Sequence, residues 1–94
     1  MKNLEEMFMS IENYRVEIDE IDQEMMELFK KRMSVSKKIG QYKKLNQLPI
    51  FDEKRENDIL LVRKNLLNDE KLWPYYEVFI KQIFDLSKAY QHDE

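Results

Sequence analysis

From Ile11 onward the apolar residues return in alternating steps of three and four. They are Ile11, Tyr14, Ile18, Ile21, Met25 and Leu28, then, after Arg32, Val35, Ile39 and Tyr42. Such spacing keeps one stripe of side chains on one face of an α-helix, and it holds here for more than four heptads. Nothing between Asn3 and Asn46 interrupts it except Gly40, which a helix tolerates at about 1 kcal/mol. The stretch from Ser10 to Asn46 is therefore predicted as one helix, roughly 55 Å long. A compact monomer of 94 residues has a radius of gyration of only about 12 Å. Two readings of so long a seam stand open: a protruding coiled-coil arm, or an intertwined dimer in which two long helices cover each other. The second is favoured, because an arm leaves Ile39 and Tyr42 without partners.

The rest of the chain has room for two shorter helices. Pro49 disfavours helical geometry at Leu48, so residues 46–51 read as a loop. Asp52 has the chemistry of an N-cap for a helix from about Glu53 to Leu67, with Ile59, Val62 and Leu66 facing inward. After the polar loop 68–71, Pro74 suits a first-turn position in a third helix running to about Gln91. Tyr76, Phe79, Ile80, Ile83 and Phe84 form its inward row. No strand pattern, repeat or low-complexity tract interrupts this reading. The expected architecture is all-α, a single domain over residues 1–94, with one long and two shorter helices in an intertwined homodimer.

Composition removes several function classes. A formal charge of −3 argues against nucleic acid, which wants a basic face along the chain. Charged residues make up 37% of the chain, and no apolar run approaches the ~18 residues that would span a membrane. Residues 1–6 carry acids where a signal peptide is basic and then apolar. There is no cysteine, hence no disulfide framework and no thiolate site, and a reducing cytoplasm is the expected compartment. Neither a metal-ligand cluster nor a nucleophile–base pair is visible, and one glycine cannot build a phosphate loop. An enzyme of this kind would use no metal, no cofactor and no covalent step.

The informative positions are polar residues in apolar slots. Arg32 interrupts the seam between Leu28 and Val35, and a buried guanidinium demands compensation. An internal ion pair or snorkelling to water would supply it, as would an anionic ligand. Lys43 follows Arg32 by eleven residues, three helical turns, so the two cations point the same way, about 16 Å apart along the axis. They would suit a small molecule with two carboxylates, although lysines are common on helices and Lys37, Lys38 and Lys44 lie close by. Ser87 and Gln91 extend the inward row of Ile80 and Phe84. That pattern reads equally as a polar site or as an ordinary frayed helix end. Glu56 sits one turn after Asp52, near a helix N-terminus where a carboxylate is favoured in any case. His92 lies in the acidic tail and reads as solvated.

These same residues carry a resemblance. The run from Arg15 to Asp22, then Lys31-Arg32-Met33, Lys43, Pro49-Ile50-Phe51-Asp52, Arg55-Glu56, Ser87 and Gln91 resemble, in order and spacing, the all-helical chorismate mutases over nearly the whole chain. The resemblance implies the pericyclic rearrangement of chorismate to prephenate in aromatic amino-acid biosynthesis. That step needs no proton transfer, only a held chair-like conformer and stabilised charge at the breaking carbon–oxygen bond. It implies that Arg32 and the partner chain's Arg15 clamp the two carboxylates, with Ser87 assisting at one of them. Lys43 and Gln91 would donate to the ether oxygen. Glu56 would accept from the ring hydroxyl beside Asp52, and Arg55 would order Glu56 and the loop. Helix geometry agrees with a borrowed Arg15, which stands about 42 Å from Lys43 along a single helix.

Two rival functions use the same scaffold. One is an isochorismate pyruvate lyase, disfavoured by an acid at position 56. The other is a non-catalytic helical binding module, disfavoured by the joint presence of Arg15, Arg32, Lys43, Glu56 and Gln91.

Overall fold

The computed structural model describes residues 3–93. Met1, Lys2 and Glu94, the outer ends of the acidic leader and tail read above, lie outside the described residues. Three helices follow in order: α1 (Leu4–Leu45), α2 (Glu53–Leu67) and α3 (Trp73–His92). No strand occurs among the described residues. The heptad seam, the Asp52 cap and Pro74 in the first turn are all found where their chemistry places them.

The chain divides into two units, residues 1–32 and residues 33–94. The first is the N-terminal part of α1. Asn3 opens it by accepting a hydrogen bond from the Glu6 amide (2.8 Å), and Glu5 and Glu6 sit favourably at the positive end of the helix. Its apolar stripe, Ile11, Tyr14, Ile18, Ile21, Met25 and Leu28, is exposed throughout.

The second unit holds the core. α1 closes after Leu45 with Gln47 in the left-handed region (φ 56). The Leu48 amide reaches back to the Lys43 carbonyl (2.8 Å) and the Gln47 amide to that of Lys44 (3.3 Å). This Schellman pattern satisfies the last carbonyls and turns the chain sharply toward Pro49. α2 begins at Asp52, whose Oδ1 accepts from the Arg55 amide (3.0 Å), and ends at Asn68, also left-handed (φ 49). Asp69 then gathers the amides of Lys71 and Leu72 on its carboxylate (3.1 and 3.0 Å), which starts α3 without a side-chain cap at Leu72.

Two inward rows differ from expectation. On α2 the half-buried residues are Glu56, Ile59, Leu60, Arg63 and Leu67, whereas Val62 and Leu66 are exposed, Leu66 at 77%. α2 packs on α3, and the half-buried row 56–60–63–67 marks its inward face; residues 62 and 66 each precede a member of that row by one position, about 100° around the helix. On α3, Ile80, Phe84 and Ser87 are buried and Tyr76 and Ile83 half-buried, but Phe79 is exposed.

The C-terminal part of α1 has its own inner face. Ser36 and Gly40 are buried and Lys43 is half-buried, spaced by four and three. The heptad residues of the same stretch, Val35, Ile39 and Tyr42, are exposed, Tyr42 at 63%. Inner face and seam are therefore different stripes of one helix.

Candidate active site

Each helix of the second unit brings polar groups to one inner region. α1 presents Ser36 and Lys43, the first turn of α2 presents Glu56 behind its exposed cap Asp52, and the last turns of α3 present Ser87, Lys88 and Gln91. Small residues let the backbones approach closely enough for this. A Cβ built on Gly40 would meet Cβ of Gln91 at 2.9 Å and its Cα and carbonyl oxygen at 3.0 Å. The helix carries a glycine there because α3 leaves no room for a side chain.

The Lys43 ammonium donates to the carbonyl of Ile50 (3.0 Å), tying α1 to the loop that leads into α2. At the other end of that loop the Glu56 amide donates to the Asp52 carbonyl (3.1 Å), so Lys43, the loop and Glu56 are held in one frame. Glu56 is half-buried and faces Lys88, whose Nζ lies 3.1 Å from Oε2 and 3.4 Å from Oε1. The same ammonium reaches Asp85 at 3.5 Å and stands 4.4 Å over the Phe51 ring. Burial pulls the Lys88 pKa down, but the hydrogen bonds and charges of Glu56 and Asp85 outweigh it and leave the value above the usual 10.5.

Ser87 is buried, and its Oγ stands 2.6 Å from Oγ of Ser36 across the α1–α3 contact. Gln91 donates from Nε2 to Ser87 Oγ at 3.3 Å. Its Oε1 is buried with no hydrogen-bond partner among the described residues. A buried amide oxygen left unsatisfied is unusual among buried polar groups.

Of the residues singled out by sequence, Ser87 and Gln91 are in direct contact, and Lys43, Asp52 and Glu56 share the frame just described. Arg55 caps nothing with its side chain. It lies exposed on a cavity of about 520 Å³ along α2, which Asp52, Ile59 and Arg63 also line. Gln91 lines a second cavity of about 580 Å³ with Gly40 and Lys44. Neither cavity contains Lys43, Glu56 and Ser87 together. In the first unit, Arg32 is half-buried with Nη1 shielded from solvent. Arg15 is exposed at 67% and paired with Glu12 at 2.6 Å.

Three residues escaped sequence reasoning. Ser36 had a signal, being one turn after Arg32 and seven residues before Lys43, on the stripe that proves to be the inner one. Gly40 had one too, as the only glycine in a long helix. Lys88 had none, because a lysine near a helix end reads as solvated.

The sequence profile of a family described as chorismate mutase type II matches residues 14–92. The T-protein of Haemophilus influenzae is 34% identical over 55 residues, which cover 58% of this chain but only 15% of that protein. A solved structure described as a conserved hypothetical protein from Pyrococcus furiosus aligns over 88% of this chain and 96% of its own. Its TM-score is 0.69 and its identity 34%.

Proposed function

The chain belongs to the chorismate mutase type II family, and from that premise we propose that it converts chorismate to prephenate as a homodimer whose two sites each take one arginine from the partner. The reaction is an isomerisation within one dianion. A carbon–oxygen bond breaks as a carbon–carbon bond forms, and the protein lowers the barrier by holding the folded conformer and stabilising charge on the ether oxygen. Lys43 and Gln91 donate to that oxygen, and Glu56 accepts from the ring hydroxyl beside Asp52. Arg32 and the partner subunit's Arg15 hold the two carboxylates, with Ser87 assisting, and Arg55 orders the start of α2.

The observation that carries this reading is the concentration of uncharged and charged hydrogen-bonding groups on the inner faces of α1, α2 and α3. Ser36, Lys43, Glu56, Ser87 and Gln91 occupy positions where a core alone would place aliphatic side chains. The dimer is supported by the exposed stripe from Ile11 to Leu28 and its continuation at Val35, Ile39 and Tyr42. A stripe of this kind marks an association surface. An exposed Arg15, paired with Glu12 at the surface, supports the reading that it serves another chain. A chain without cysteine suits a reducing cytoplasm, and no helix among the described residues is long and apolar enough to cross a membrane.

Loss of the chorismate diene absorbance on adding purified protein, with prephenate as the product, is the expected result. Inert chorismate would make the chain a binding module. Pyruvate released from isochorismate, with chorismate untouched, would make it the lyase.

A further inference from the structure

Lys88 has no part in the reaction as laid out above, yet it is the group that Glu56 meets across the α2–α3 contact. Its ammonium stands 3.1 Å from Oε2 of Glu56 and 3.4 Å from Oε1, so it lies across the carboxylate rather than at one corner of it. Asp85 at 3.5 Å and the Phe51 ring, 4.4 Å away, brace the ammonium in turn. Phe51 belongs to the loop that Lys43 ties down through Ile50, so Lys88 joins the last turns of α3 to the same frame. Stability alone does not call for this arrangement. The two side chains are 24% and 25% exposed, and an ion pair that solvent reaches adds little to a fold. Lys88 follows the buried Phe84 by four residues, where an aliphatic side chain would pack at no electrostatic cost.

The ammonium acts on the carboxylate it spans. A glutamate side chain has several rotatable bonds, and fixing them costs entropy whenever the group must be held in one place. An ammonium lying across both oxygens removes that freedom in advance and favours the ionised form. Over its two oxygens a carboxylate offers about four lone-pair sites. Lys88 engages one on each oxygen at most, which leaves acceptors for a hydroxyl. Its charge also offsets a negative group that would otherwise face a dianionic substrate. Against the pull of burial, Glu56 and Asp85 hold the Lys88 pKa above 10.5, so the ammonium keeps its proton.

We infer that Lys88 is a positioning residue: its ammonium, braced by Asp85 and Phe51, holds the Glu56 carboxylate ionised and fixed in place to accept from the ring hydroxyl of the substrate. This rests on the role proposed for Glu56. Lys88 itself touches no substrate and acts only through that carboxylate.

The test compares wild type with Lys88→Met, Lys88→Arg, Glu56→Gln and the Lys88→Met/Glu56→Gln double variant, with chorismate as substrate and melting followed in parallel. Methionine is nearly as long as lysine and equally at home in a helix, so Lys88→Met is expected to fold. Its kcat/KM should fall about tenfold, the scale of one hydrogen bond to a charged group. Lys88→Arg keeps the charge and can span both carboxylate oxygens, so it should stay within about twofold of wild type. In the Glu56→Gln background no carboxylate needs holding, and Lys88→Met should change kcat/KM by less than about twofold. The same loss in both backgrounds would mean that Lys88 acts on the substrate directly or through packing, and overturns the inference. So does a Lys88→Met protein at least as active as wild type, or a Lys88→Arg protein as impaired as Lys88→Met. Each of these results leaves the role of Glu56 intact. Wild-type kcat/KM in Glu56→Gln takes the carboxylate charge out of the reaction and the Lys88 inference with it.

Discussion

Gly40 and Gln91 face each other across the α1–α3 contact so closely that a Cβ on Gly40 would stand 2.9 Å from Cβ of Gln91 and 3.0 Å from its backbone. The obstacle is backbone and a Cβ, not the flexible end of a side chain, so the helices themselves must move apart. Gly40→Ala gains about 1 kcal/mol of helix propensity. Overpacking of this kind costs about 1–3 kcal/mol, so the net stability change is small or unfavourable. Turnover is the sensitive quantity. A displacement near 1 Å at Gln91 is expected to lower kcat by roughly a hundredfold while melting changes by only a few degrees. A Gly40→Ala protein with wild-type kcat would show that α3 can shift without consequence for the reaction.

The Lys88–Glu56 pair makes a prediction in pH. The folded-state pKa of Lys88 is raised above 10.5 by Glu56 and Asp85 against the opposing pull of burial. A raised lysine contributes stability that is fully present below the unfolded value. That stability is lost as pH climbs through the folded value. The melting-temperature gap between wild type and Lys88→Met should therefore be constant from pH 7 to about pH 10 and narrow above it. Taking the difference between two proteins cancels the other alkaline titrations. A gap that stays level past pH 11, or no gap at neutral pH, would mean that Lys88 gains nothing from its partners.

The elements were legible because each has a strong local signature. The three-and-four apolar spacing marks α1, Asp52 begins α2, and Pro74 fits the first turn of α3. Faces were harder. Val62 and Leu66 look inward by their apolar character, yet the rotation of α2 is decided by its neighbours across the core, and the face it turns in carries Glu56, Leu60, Arg63 and Leu67. The seam and the inner stripe of α1 run close together, so in sequence Arg32 reads as an interruption of one row where two rows pass. Lys43, Glu56, Ser87 and Gln91 stood out as polar residues in apolar settings. Ser36, Gly40 and Lys88 did not, because a small residue in a helix and a lysine near its end acquire meaning only from the neighbour across the contact. The partners of Ser36 and Gly40 lie more than fifty positions away in the chain.

Lys43 is anchored by the Ile50 carbonyl through one of its three ammonium hydrogens, which leaves donors for a ligand. Lys43→Ala should reduce kcat by ~10²–10³, as expected when one donor to a charged transition state is removed. Alanine is a better helix residue than lysine, so circular dichroism should report an intact fold. The loop at Ile50 loses one hydrogen bond, a change of about 1 kcal/mol that a small drop in melting temperature would register. A folded Lys43→Ala variant with near wild-type turnover would take Lys43 out of the mechanism.

The shared site makes the sharpest demand, because it links the exposed heptad stripe to the chemistry. Arg15→Ala and Arg32→Ala homodimers should each be nearly inactive, since every site then lacks one carboxylate clamp. In a heterodimer of the two, one site combines Arg32 of the first variant's chain with Arg15 of the second's and is complete, while the other site lacks both. Random pairing after co-refolding equal amounts makes about half of the dimers heterodimers, so roughly a quarter of wild-type activity should return. Mixing the folded proteins should restore little at first, because intertwined chains exchange slowly. An Arg15 acting within its own chain would leave every heterodimer site one arginine short. Co-refolded samples as inactive as their parents, with heterodimers verified by native mass spectrometry, would place Arg15 outside the partner's site.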